Sequence, residues 1–252
     1  MSDLKGIPAL FMRGGTSSGP YWNAKDLPAD PAQRDAVLLA ALGTTDGLSD
    51  EVDRAQLGGV GGATAVTSKT AILSRSEVEG VDIDYLFAQI DLERPFVDTN
   101  PSCGNILSAV GHAALEMGLI EASDPVTSIS IRNTNTNALM EAVLETPGGR
   151  WSYLGDVRID GVAGTAAPVV MNFLDVVGSK TGALFPTGQR MEEINGLTVT
   201  LIDVAVPMIW FRAEELGLKG DETKAELDDP ALLERMEAAR LIASERMGLG
   251  DA

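Results

Sequence analysis

Apolar and polar residues alternate in short runs through the first 212 positions, the rhythm of strands rather than of helices. Extended segments are predicted over 7–13, stopping at Gly14-Gly15, and over 67–75, 83–91, 126–133 and 138–145. Each is β-branched or alternating and is bounded by Gly, Pro, Asn or Ser. Thr146-Pro147-Gly148-Gly149 reads as a hairpin turn, which predicts a returning strand over 150–157. Pro168 has no N–H to give a ladder, so the next strand is placed behind it, over 169–177. Two more are expected within 197–211, interrupted at Pro207.

The helical period surfaces three times. Residues 31–42 follow Asp30-Pro31, which suits an N-cap and a first helical position. Residues 105–117 read NILSAVGHAALEM, apolar on most sides, and predict a helix buried nearly all round. Ser102 would cap it and place Cys103 in its first turn. Residues 227–247 are amphipathic, with Asp229-Pro230 as a second cap pair.

The 252 residues suffice for one large domain or two modest lobes. Against 37 acidic residues stand 19 basic ones, a formal net charge of −18 that argues against nucleic acid and membrane partners. Residues 213–237 carry −6 of it and read as a solvated face. One cysteine cannot close an intramolecular disulfide, and with one histidine it leaves no N/S zinc cage; carboxylate-bound magnesium stays open to these counts, and no metal ligand is assigned. The apolar stretch 7–12 is too short for a signal peptide, and no run reaches membrane-spanning length. A cytoplasmic location is expected.

Three stretches carry candidate chemistry. In Arg13-Gly14-Gly15-Thr16-Ser17, small residues expose backbone N–H groups to an anion, and Arg13 adds a fork for a carboxylate. A plain tight turn explains the same residues. Gly15 to Gly19 also fits G-x-S-x-G, which would make Ser17 a hydrolase nucleophile; however, no helix follows, and the sole histidine, His112, lies within the apolar helix. Residues 58–70 approach a phosphate-binding loop, but Ala63 and Ser68 stand where glycines are required and a strand follows. What survives is Lys69 beside Thr67 and Ser68, a base wherever burial favours its neutral form, although surface lysines are commoner. In Ser102-Cys103-Gly104-Asn105, a helix start favours thiolate and its free N–H groups suit a carboxylate. A small buried cysteine is the bland alternative. His112 is expected to pack or hydrogen-bond in the core.

MRGGTS at 12–17, GGVGGATAVTSK at 58–69, IDYLF at 83–87, CGNILSAVGHAALEMGLI at 103–120, RIDGVAGTAAPV at 158–169 and GALFPTG at 182–188 together resemble the PrpF family. The likeness runs in register across nearly the whole chain. It implies an α/β (α+β), diaminopimelate-epimerase-like fold of two similar lobes, each a curved, mostly antiparallel sheet around a central helix. The first lobe would span 1–185, and 186–252 would begin an incomplete second. The implied activity is a cofactor-independent isomerase or tautomerase. It would catalyse a 1,3-allylic proton shift, as double-bond migration or cis-trans isomerisation, in a small unsaturated di- or tricarboxylic acid such as 4-oxalomesaconate or 2-methylaconitate.

The family's catalytic lysine falls on Lys69 and its cysteine on Cys103, an acid/base pair in which either can be the base. Substrate contacts would fall on Arg13, Gly14, Gly15, Thr16, Ser17, Thr67, Ser68, Gly104 and Asn105. The implied partner is a small anionic polycarboxylate, with a homodimer as one assembly open to the chain. Ser18 replaces a usual lysine, Gly58 a usual acid, and PSCGN the commoner QNCGN, changes that bear on the substrate. Family members usually continue well beyond position 252, so a fragment is expected. The alternatives are a non-catalytic carboxylate-binding protein or inactive fragment and, more distantly, a serine hydrolase using Ser17.

Overall fold

The computed structural model describes residues 6–44, 56, 58–92, 94–174 and 176–250. They divide into two compact units, 1–174 and 175–252, and the boundary expected at 185/186 lies within the second.

In the first unit, β1 (Leu10–Gly14) turns through Gly15, at a left-handed φ of 52°, into β2 (Ser17–Asn23). The other strands are β3 (Lys69–Arg75), β4 (Ile83–Ile90), β5 (Val97–Asp98), β6 (Val126–Asn133), β7 (Leu139–Glu145) and β8 (Val169–Phe173). They form one sheet in the order β1-β2-β3-β4-β6-β7-β8, with β5 paired to β4. Only β2–β3 and β4–β6 run parallel. Helix α1 (Pro31–Leu42) starts as expected, the Asp30 carboxylate accepting from Gln33 N at 3.0 Å.

Both faces of the sheet are covered. Trp22, Ile72, Ala88 and Ile90 pack on one side with Leu38 and Leu42 of α1. On the other, Tyr21, Leu73, Phe87, Ile131 and Leu144 meet α2 (Gly104–Leu107) and α3 (Val110–Glu116). The strands from β2 to β7 span roughly 19 Å at ordinary spacing, wider than the 10–12 Å of a helix with its side chains. A flat sheet could not bring all five onto one helical segment; this sheet curls around it. Val110 to Leu115 are all buried, as the apolar sequence required.

Several expectations need correction. The helix over 105–117 is two pieces, parted at Ser108-Ala109, where Ser108 Oγ donates to the Asn105 carbonyl at 2.7 Å and competes with the helical ladder. Its N-cap is Cys103, not Ser102, whose hydroxyl instead accepts from Asn133 Nδ2 at 2.9 Å. Residues 150–157 do not return as a strand. Gly148 and Gly149 both adopt positive φ, β8 takes the free edge of β7, and Val157 makes only an isolated bridge to Ala166. The strand predicted over 169–177 stops at Phe173.

The second unit holds β9 (Glu192–Ile194), β10 (Leu197–Val204) and β11 (Val206–Phe211), antiparallel in the order β11-β10-β9. A short α4 (Lys224–Leu227) precedes α5 (Pro230–Arg246), which is capped by Asp229 and lays Ala239, Ala243 and Met247 on Ile194, Leu197, Val199 and Leu201. The break between β10 and β11 falls at Ala205 (φ 64°). Pro207 lies inside β11, an edge strand that tolerates a missing donor.

Candidate active site

Antiparallel partners point to the same face of a sheet, so the register sorts the candidates. Gly14 pairs with Ser17, and Lys69 with Gln89. Lys69 alternates with Ala71 and Leu73 and therefore faces the side that carries α2 and α3. Cys103, nearly buried, belongs to the apolar cluster on that same side. The two expected acid/base residues thus share one face.

Lys69 Nζ donates to Gln89 Oε1 at 2.7 Å and lies 5.1 Å from the centre of the Phe87 ring. Gln89 Nε2 in turn donates to the Ser68 carbonyl at 2.8 Å. Two fully buried tyrosines anchor the backbone at Cys103 and in the helix that follows it. Tyr85 Oη donates to the Cys103 carbonyl at 3.3 Å, and Tyr21 Oη to the Ile106 carbonyl at 2.6 Å. Burial pushes both phenols up, and the adjoining Cys103 adds to the shift, so both stay protonated donors.

Asn105 joins the first and third stretches. Its Nδ2 donates to Thr16 Oγ1 at 3.0 Å. A Cβ on Gly14 would overlap the Asn105 carbonyl oxygen, and one on Gly15 its side-chain oxygen. Both glycines are therefore required by close approach. Gly104 differs, because a Cβ there would meet only the Phe173 ring, at an ordinary contact distance of 3.5 Å. Ser17 Oγ is fully buried and has no hydrogen-bond partner among the described residues. Ser17 begins a strand, not a strand-to-helix elbow, which removes the geometric basis for a nucleophile.

Other candidates are engaged elsewhere. Arg13 pairs with Ser18, one position out of phase with Gly14 and Ser17, and its guanidinium donates to the Thr16 carbonyl at 3.3 Å. Thr67 Oγ1 is bonded to Thr64, and Ser68 Oγ donates to Gln56 Oε1 at 2.7 Å, so both hydroxyls hold the loop ahead of β3. A groove of about 760 Å³ opens beside Arg13, Gly15 and Asn105, and His112, Glu116, Tyr153, Val157 and Ile159 also line it. Neither Lys69 nor Cys103 lines it. His112 is buried, its ring 5.1 Å from that of Tyr153, and burial pushes its pKa down. Among the described residues no three His, Cys, Asp or Glu side chains are grouped as metal ligands would be. No described helix is long and apolar enough to cross a membrane.

Sequence reasoning missed Tyr21, Tyr85 and Gln89. All three sit at inward positions of strands, where an aromatic or amide side chain gives no local sign of its partner.

A curled sheet wrapped around a helix that starts at a cysteine gives a mixed α/β protein of the diaminopimelate-epimerase-like class. The chain belongs to the PrpF family, whose model, described as PrpF protein, matches residues 4–252. It is 49% identical over 249 residues to a putative isomerase, YbhH, of Escherichia coli (strain K12), covering 98% of this chain and 69% of that protein. With the 4-oxalomesaconate tautomerase of Pseudomonas putida it shares 46% identity over 246 residues, 97% of this chain and 66% of the other. The solved structure of a methylitaconate-delta-isomerase superposes with a TM-score of 0.80 at 37% identity, covering 96% of this chain and 62% of that one. The chain thus spans about two thirds of the length of these relatives.

Proposed function

We propose that the protein is a cytoplasmic isomerase that moves a double bond in a small unsaturated polycarboxylate without a cofactor. The observation that supports this reading is the shared face of Lys69 and Cys103, a basic and an acidic group on the side of the sheet that carries α2. The Lys69 amine takes a proton from the allylic carbon. The released electron pair moves into the adjoining double bond and places charge on a conjugated carboxylate or carbonyl oxygen. The Cys103 thiol returns a proton two carbons further along. One proton and one double bond have then moved, and solvent resets the ammonium and the thiolate. Backbone N–H groups at Gly104 and Asn105 supply donors for the substrate's oxygens. Ranking candidates by the relatives' identities puts 4-oxalomesaconate ahead of methylitaconate, at 46% against 37%.

Following each acid by NMR in the presence of the chain tests this reading. Conversion to the positional isomer is expected, with Lys69→Ala abolishing it. Thermal stabilisation by the acid without any isomer would instead favour a carboxylate-binding protein.

A further inference from the structure

We propose that Gln89 is the positioning residue for the Lys69 amine, a neutral acceptor that aims it while keeping it apart from Asp98. The inference rests on the reading of Lys69 as the base and adds a residue that reading did not contain. Lys69 pairs with Gln89 across β3 and β4, and Gln89 pairs with Asp98 across β4 and β5. The three side chains therefore form a row on the face that carries Cys103, with the amide between the cation and the carboxylate. The amide is fixed at both ends. Its oxygen accepts from Lys69 Nζ at 2.7 Å, and its nitrogen donates to the Ser68 carbonyl at 2.8 Å, which settles which end faces the amine. Phe87, 5.1 Å from the ammonium, closes the side toward the core.

Among the described residues, the charged and titratable groups on this face are few. Asp98 on β5 is occupied by Asn100, whose N and Nδ2 both donate to its Oδ1 at 2.9 Å. Tyr21 on β2 and Tyr85 on β4 are protonated donors to backbone carbonyls, and Cys103 lies at the start of α2. An amide orients an ammonium by one hydrogen bond, whereas a carboxylate at the same distance would also stabilise its charge and oppose release of the proton. A base that must lose its proton in every turnover is better served by the amide.

Two variants test this, each checked by its thermal melt: Gln89→Glu, which keeps the shape and the acceptor but adds a charge, and Gln89→Leu, which removes the acceptor. Acylation of Lys69 by a small amine-reactive ester, read by peptide mass spectrometry across pH, needs no turnover. Gln89→Glu is expected to slow labelling roughly tenfold at pH 8, because a full opposite charge favours the unreactive ammonium. Gln89→Leu is expected to label at least as fast as the native chain. In isomerisation, both variants should lower kcat roughly tenfold or more while moving KM less. Equal labelling of the native chain and Gln89→Glu would overturn the proposal, even if the native chain turns substrate over. The expected labelling pattern in a chain that isomerises nothing would uphold the positioning and defeat the catalytic reading instead.

Discussion

Replacing Asp203 should unfold the second unit selectively, by an amount that its hydrogen bonds allow one to work out. Asp203 lies in β10 with no exposed surface. Its Oδ2 accepts from the backbone N–H groups of Lys180 and Thr181 at 2.8 Å each and from Thr181 Oγ1 at 2.9 Å, while Oδ1 accepts from Ser179 Oγ at 3.2 Å. Burial opposes the charge, yet these bonds outweigh it and hold the carboxyl below its ordinary pKa. A hydrogen bond to a charged group contributes about 1.5–3 kcal/mol net. Asp203→Ala forfeits the whole set and leaves two backbone donors without acceptors, so a loss of about 4 kcal/mol is expected. Asp203→Asn can turn its oxygen to the three donors at Oδ2 but loses the charge, and about 2 kcal/mol is expected.

The pH dependence follows in sign. A folded-state pKa below the unfolded one gives stability that is present above the unfolded value and lost as pH falls through the folded value. The native chain should lose this contribution on acidification, and the Asn variant should not. Urea titration followed by hydrogen exchange of peptides from 197–211 reads the effect on the second unit itself. An Ala variant within 1 kcal/mol of the native chain, or no different from the Asn variant, would refute the reasoning.

Gly14→Ala should cost about 1–3 kcal/mol, since its Cβ would overlap the Asn105 carbonyl oxygen and come within 2.9 Å of Tyr21 Oη; urea melts check this. Gly104→Ala, whose Cβ would meet only Phe173, should leave stability within about 0.5 kcal/mol but weaken substrate binding, as titration calorimetry would record. His112 is held below its ordinary pKa chiefly by burial, so the unfolded chain takes up that proton first on acidification. Stability should therefore fall as pH drops from the unfolded pKa toward the folded one, and His112→Gln should flatten that slope in melts at pH 7.5 and 5.5.

The elements that the sequence disclosed were those with a local marker. Asp30-Pro31 and Asp229-Pro230 fix their helix starts because a cap and a proline act within one turn. The strand β2, SSGPYWN, went unnoticed because every residue in it is buried, on two faces served by two cores, so no alternation survives. The strand expected over 150–157 failed for a tertiary reason: residues 169–173 compete for the same edge of β7 and win it. The candidate site divides in the same way. Cys103 and Lys69 stand next to glycines and a helix start and could be singled out. Gln89 reads as one more position in an alternating strand until the register sets it against Lys69.

The central claim is that Lys69 and Cys103 move an allylic proton, and the most direct measurement is deuterium incorporation from D2O into 4-oxalomesaconate, methylitaconate and 2-methylaconitate, recorded by NMR. Deuterium is expected at the allylic carbon of at least one acid with the native chain, with a fall of roughly a hundredfold or more in Lys69→Ala and in Cys103→Ala. Exchange undiminished in Lys69→Ala, or no exchange into any of the three acids, would contradict that claim.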